Sequence, residues 1–134
     1  MKDIKAQTQT VFAMTSTSVT AGGGGDNTAV NGASINIGAM TRRPQSVSFE
    51  IPCRAVLAAG KKLTVTGKIQ ESVDGSTWTD VAAAVTILTL LDSGSGSTLT
   101  GVARMGTDVI RKNANYVRSV VTPDLDAANT DTAV

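Results

Sequence analysis

The chain predicts an all-β protein, a single β-sandwich of jelly-roll type, and three observations carry that expectation. Apolar residues alternate with polar ones in several short runs, the period of a strand with one buried and one wet face. Gly, Asn and Asp punctuate the runs at short spacing, as expected for a sandwich or jelly roll with seven or eight strands. Helical stretches long enough for an α/β fold are missing. The 134 residues make one domain with room for a modest core. With only Phe12, Phe49, Trp78 and Tyr116 as aromatics, that core must be built of Val, Ile, Leu and Ala.

The most informative run is residues 63–81. Leu63, Val65, Ile69 and Val73 fall on alternate positions with Thr64, Thr66, Lys68, Gln70 and Ser72 between them. Asp74-Gly75 then breaks the pattern where a positive φ is wanted, a strong hairpin signal. A loop of two or four residues puts Trp78 on the face of Ile69 and Val73, and a three-residue loop puts it on the other. The even loop is the expectation, because an indole gains most against a core. Asp74, Gly75 and Trp78 are thus expected as a structural hairpin.

From the N-terminus, residues 1–20 carry little periodicity beyond Val11, Phe12 and Met14 and read as an arm or a first edge strand. Gly22–Gly25 reads as a mobile loop. Ile35 and Ile37 suggest a short strand after the Asn31-Gly32 turn. Val47, Phe49 and Ile51 suggest a longer one that Pro52 ends. Residues 81–91 fit a buried strand, with a short helix as the alternative. Residues 99–105 and the pair Val109-Ile110 are further strand candidates. Tyr116 to Val121 alternate until Pro123 closes the run. The expected organisation is an arm over 1–20, a sandwich over 21–123 and a polar, acidic tail over 124–134.

Several chemistries lack their residues. No histidine occurs, which removes the usual Ser-His-Asp and Cys-His arrangements and the commonest transition-metal ligand. Cys53 is the only cysteine, so it forms no internal disulfide and reads as a small buried hydrophobe. The glycine run lacks the strand-to-helix context and the Lys-Ser/Thr of a phosphate cradle. Glu71 and Asp80 form a carboxylate pair only if a cleft lies between them. No cofactor or metal is expected, and no enzymatic activity. A formal charge of +1 argues against direct nucleic-acid binding. No apolar run is long enough for a membrane span, and residues 1–21 lack the apolar stretch of a signal peptide. Arg42-Arg43 and Lys61-Lys62 lie near turns, where partners commonly bind. With Phe12, Leu125 and Val134 in the two terminal segments, they are the candidate partner contacts.

Three stretches in order, AGGGGDNTAVNGASINI (21–37), GKKLTVTGKIQESVDGSTWTDV (60–81) and NYVRSVVTPDLDAANTDTAV (115–134), resemble small structural proteins of tailed bacteriophages, of the capsid cement or decoration type. The resemblance implies a non-enzymatic virion protein that binds the outside of an assembled head and bridges subunits of the major capsid protein. It implies a homo-oligomer, dimer or trimer, on the capsid surface after synthesis in the host cytoplasm. The arms are expected to lie across neighbouring subunits. A tail or head–tail joining component is the alternative. A carbohydrate-binding module is a third reading, for which exposed aromatics are scarce.

Overall fold

A computed structural model describes residues 9–11, 13–126 and 131–134. Its strands are β1 (Val19–Thr20), β2 (Val30–Asn31), β3 (Ile35–Asn36), β4 (Val47–Leu57), β5 (Lys62–Ser72), β6 (Thr79–Asp80), β7 (Val85–Leu91), β8 (Ser97–Thr107), β9 (Tyr116–Leu125) and β10 (Thr132–Ala133). All described pairings are antiparallel. One sheet has the order β1-β10-β4-β8, and the other β2-β9-β5-β6, with β3 also on β9 and β7 also on β5. The protein is therefore all-β with two antiparallel sheets, as in a sandwich.

Alternation builds the two inner faces. In β5, Leu63, Val65 and Ile69 are buried, while the intervening Thr and Lys are half-exposed. In β4, Ala55 and Leu57 are buried and Arg54 and Val56 are exposed. These faces meet Val121 and Leu125 of β9, Ala103 of β8 and Leu90 of β7 in one cluster. Gly67 lies in the buried row of β5. A Cβ there would stand 2.5 Å from Ile87 Cδ1 and 3.3 Å from Phe49 Cζ, so the missing side chain is the space those two residues occupy. Ile87 reaches in because the β5–β7 register shifts: Val65 pairs with Leu88 and Thr66 with Thr86, leaving Ile87 as the extra residue of a bulge.

Both prolines expected to end strands lie inside them. Arg54 exchanges both of its backbone hydrogen bonds with Val134, on the side of β4 away from β8. By the two-residue pleat Pro52 turns its nitrogen to that same side, where no described strand needs a donor. Pro123 likewise turns its carbonyl to Asn27, beyond the end of β2, so β9 continues to Leu125. Val109 and Ile110 form no strand.

Part of the expected C-terminal tail is a strand. Residues 132–133, expected within a tail, form β10 between β1 and β4, and Ala133 is buried. Asp131 is 1% exposed and accepts a hydrogen bond from the Ala58 amide at 2.9 Å. Its own carbonyl accepts from Ala21. Such anchoring cannot be read from alternation in a strand of two residues. The glycine run is anchored too: Asp26 accepts from the amides of Gly22 and Leu125, both at 2.8 Å, so it joins the loop to the end of β9.

Candidate functional site

The 72–78 loop is built by one carboxylate. Asp74 Oδ1 accepts from the amides of Ser76 and Thr77 and from the Ser72 hydroxyl, and Ser72 Oγ accepts from the Gly75 amide. These bonds, the Thr77 amide first, hold the Asp74 carboxyl well below its usual range. Gly75 has φ of 77°, a conformation that glycine adopts without a Cβ clash. Glu71 pairs with Thr79 and Gln70 with Asp80, which leaves an odd number of residues between the paired Glu71 and Thr79. Trp78 therefore falls on the outer face with Asp80, not on the inner face with Ile69, and the core position expected for it is corrected.

On that outer face Trp78 is half-buried under Arg118, whose guanidinium carbon lies 4.2 Å from the ring centroid. Arg118 Nε donates to Gln70 Oε1 at 2.8 Å, Gln70 Nε2 donates to Asp80 at 2.7 Å, and Lys68 Nζ donates to Asp80 at 2.9 Å. These hydrogen bonds, Gln70 first, lower the Asp80 pKa. A polar ladder thus staples β9, β5 and β6 together from outside. Glu71, one residue away on β5, points inward at 3% exposure and binds the backbone amide and side chain of Arg111. Glu71 and Asp80 lie on opposite faces of the sheet and form no carboxylate pair.

The candidate contact residues are not gathered into one surface. Phe12 lies outside the described residues. Arg42 is exposed, while Arg43 donates to the carbonyls of Arg111 and Ala114 and fastens two loops together. Lys61 and Lys62 lie at the other end of β5, where the Lys61 carbonyl accepts from Asp92 and the Lys62 amide donates to Asp126. Leu125 is 4% exposed and belongs to the core, so its side chain is not available to a partner. Val134 remains 45% exposed beside Arg54.

Val134 belongs to a patch that the alternation did not single out. Arg54 lies between Val134 on one side and Thr100 on the other. On the same outward face of β4, Pro52 pairs with Val102 and Val56 pairs with Thr98. Val56, Val102 and Val134 are each exposed by 40% or more. The result is a cation ringed by apolar side chains and threonines. The signal was available in residues 98–104, where Thr98, Thr100, Val102 and Arg104 share one phase and Val102 is the apolar member of an otherwise polar face.

A second feature is a cleft of about 1490 Å³ between the sheets, lined by Phe49, Ile51 and Cys53 of β4 and by Val65 and Val117 opposite. Burial raises the pKa of the Cys53 thiol. At the far end of the sandwich, Asp92 gathers the Ser97 hydroxyl and the amides of Gly60, Gly94 and Gly96, with Ser97 the largest of the causes that hold its carboxyl well below the usual range. Comparison with known proteins returns no matching family model, no matching curated protein and no matching solved structure.

Proposed function

We propose that this protein is a non-enzymatic structural component of a virion, of jelly-roll type, that binds the outside of an assembled phage capsid. It strengthens the shell by bridging subunits of the major capsid protein, and it sits there as a homo-oligomer. The three stretches that resemble capsid cement proteins support this reading. Among structural features, the one that carries it is the patch around Arg54 on the outer face of β4, β8 and β10. Arginine is among the side chains enriched at interface centres, and the exposed valines around Arg54 supply apolar area that a partner would bury. Repeated over a symmetric lattice, modest contacts of this kind add up to firm retention.

The test adds purified protein to particles that lack it and measures occupancy and survival of heat or osmotic shock. Val102→Asp and Arg54→Glu lie on an exposed face and should leave thermal stability near the parent's. Each should lower occupancy by about tenfold or more, as for central interface residues. Parent-like binding and protection by both variants would remove the patch from the interface.

A further inference from the structure

β4 is flanked unevenly, and its burial follows the flanking. On the side away from β8, β10 and Val134 cover only Arg54, Ala55 and Val56. From Val47 to Cys53 no described strand takes that side. Along the inward face, Ala55 and Leu57 are 0% and 2% exposed where β10 lies alongside. Val47, Phe49, Ile51 and Cys53, farther along the same face, are only half-buried. Arg54 exchanges both backbone bonds with Val134, so the two-residue pleat turns the amides and carbonyls of Ser48 and Glu50 to that same side. No described residue bonds them there. Such an edge offers its donors and acceptors to another strand.

We propose that a second copy of this chain pairs there, its β4 antiparallel to the first about a two-fold axis between the two Phe49 residues. The edge itself sets the register. Ser48 of each copy faces Glu50 of the other, and each such pair exchanges both backbone hydrogen bonds, which makes four ladder bonds. Val47 then lies opposite Ile51, and Phe49 opposite its own copy. A register centred on Glu50 sets two carboxylates directly opposite each other and asks Pro52 for a donor it lacks. One centred on Ser48 runs off the start of β4 into Ser46. The centre at Phe49 has neither defect.

The pairing also stops before it meets β10. Opposite Cys53 falls Gln45 of the second copy, where the chain bends two residues ahead of β4. The second copy thus leaves the edge before Arg54, whose place is taken by Val134. Pro52 lies beyond the paired residues 47–51, where its missing donor limits the overlap without breaking it. On the inward side, Val47, Phe49 and Ile51 of both copies come together and cover one another. The patch is self-complementary, as a two-fold interface requires. This dimer gives the homo-oligomer of the proposed function its interface and rests on that part of the reading; the Arg54 patch on the outer face stays free.

The test uses the free full-length chain without particles, so its failure leaves capsid binding standing, and failure of the patch variants leaves the dimer standing. Sedimentation of the parent should show a dimer. Glu50→Pro removes two of the four ladder donors and, because that amide faces away from β8, none within one copy. It should raise the dimer dissociation constant roughly tenfold or more. The Arg54 amide, bonded to Val134, should keep its protection from exchange in that variant, as evidence that each copy stays folded. In a Cys53→Ala background, oxidation of mixed Ser48→Cys and Glu50→Cys chains should give a disulfide-linked heterodimer, the paired Cα atoms lying about 5.5 Å apart. Either variant alone should link poorly, its like residues standing about 7–8 Å apart. A monomeric parent, or Glu50→Pro dimerising like the parent, overturns the proposal. Glu50→Cys linking to itself in preference to Ser48→Cys overturns the register. Should the proline variant unfold, the cross-links decide alone, and no linkage in the mixture overturns the proposal.

Discussion

The Arg118 guanidinium stands over the Trp78 ring, its carbon 4.2 Å from the centroid, and this contact sits on the outside of the sheet that β5 and β9 share. Its energetic consequence is modest. An indole half in water under a guanidinium contributes about 0.5–2 kcal/mol, less than a buried one would. Trp78→Ala should therefore lower stability in urea by about 1 kcal/mol, and a double-mutant cycle with Arg118→Ala should return a coupling of about 0.5–1 kcal/mol. Loss of 3 kcal/mol or more on Trp78→Ala, the range for a buried aromatic, would put the ring in the core after all.

At Gly67 the packing leaves no room for a side chain. Gly67→Ala places a methyl group against Ile87 and Phe49, and the expected cost is about 1–3 kcal/mol of overpacking. Ile87→Val in the same background should recover part of it, because the shorter side chain frees the nearest atom. Urea titration of the two variants measures both effects.

Glu71 is an inward carboxylate that fastens a loop through Arg111. Glu71→Gln weakens the contact with the half-exposed Arg111 side chain but keeps a group able to accept the Arg111 amide, and should cost about 1–2 kcal/mol. Glu71→Ala removes both and should cost more. Proteolysis of the 108–115 loop, which that amide bond fastens, should accelerate in the same order.

Acid should weaken the fold through its loop carboxylates. Asp26, Asp74 and Asp92 are held below the ordinary value of 3.8, chiefly by the Leu125 amide, the Thr77 amide and the Ser97 hydroxyl respectively. A group whose folded pKa is depressed binds fewer protons folded than unfolded. The stability it confers is thus complete above the unfolded value and is lost as pH falls through the folded one. The thermal midpoint should change little from neutral pH down to about 5 on account of these groups and fall below about 4. Asp92→Asn should have a lower midpoint at neutral pH and a shallower acid fall. An acid limb as steep as the parent's would clear Asp92 of that role.

How much of this was legible in the residues depends on what sets each feature. β5 was legible because burial of one face imposes a period of two over most of its eleven residues, and β9 through the shorter alternation at its start. The phase of Trp78 was not, since it depends on the parity of a loop that Asp74 shapes through its own hydrogen bonds. Pro52 and Pro123 were misleading because a proline breaks a ladder only where its missing donor faces a neighbour, and neither does. β10 was invisible: two residues carry no period, and their place is fixed by Asp131 reaching Ala58. The contact patch was half legible, through Val134, but its other members are single apolar residues out of phase with the core. Their grouping exists only in the register of β4 with β8.

The most direct test of the proposed role is the copy number of this protein in purified particles, measured against the major capsid protein by quantitative mass spectrometry. A protein that bridges capsid subunits over the whole shell should be present in a fixed, simple ratio to the major capsid protein. A few copies per particle, or a single ring's worth, would contradict the cement role and place the protein at a joint or in the tail.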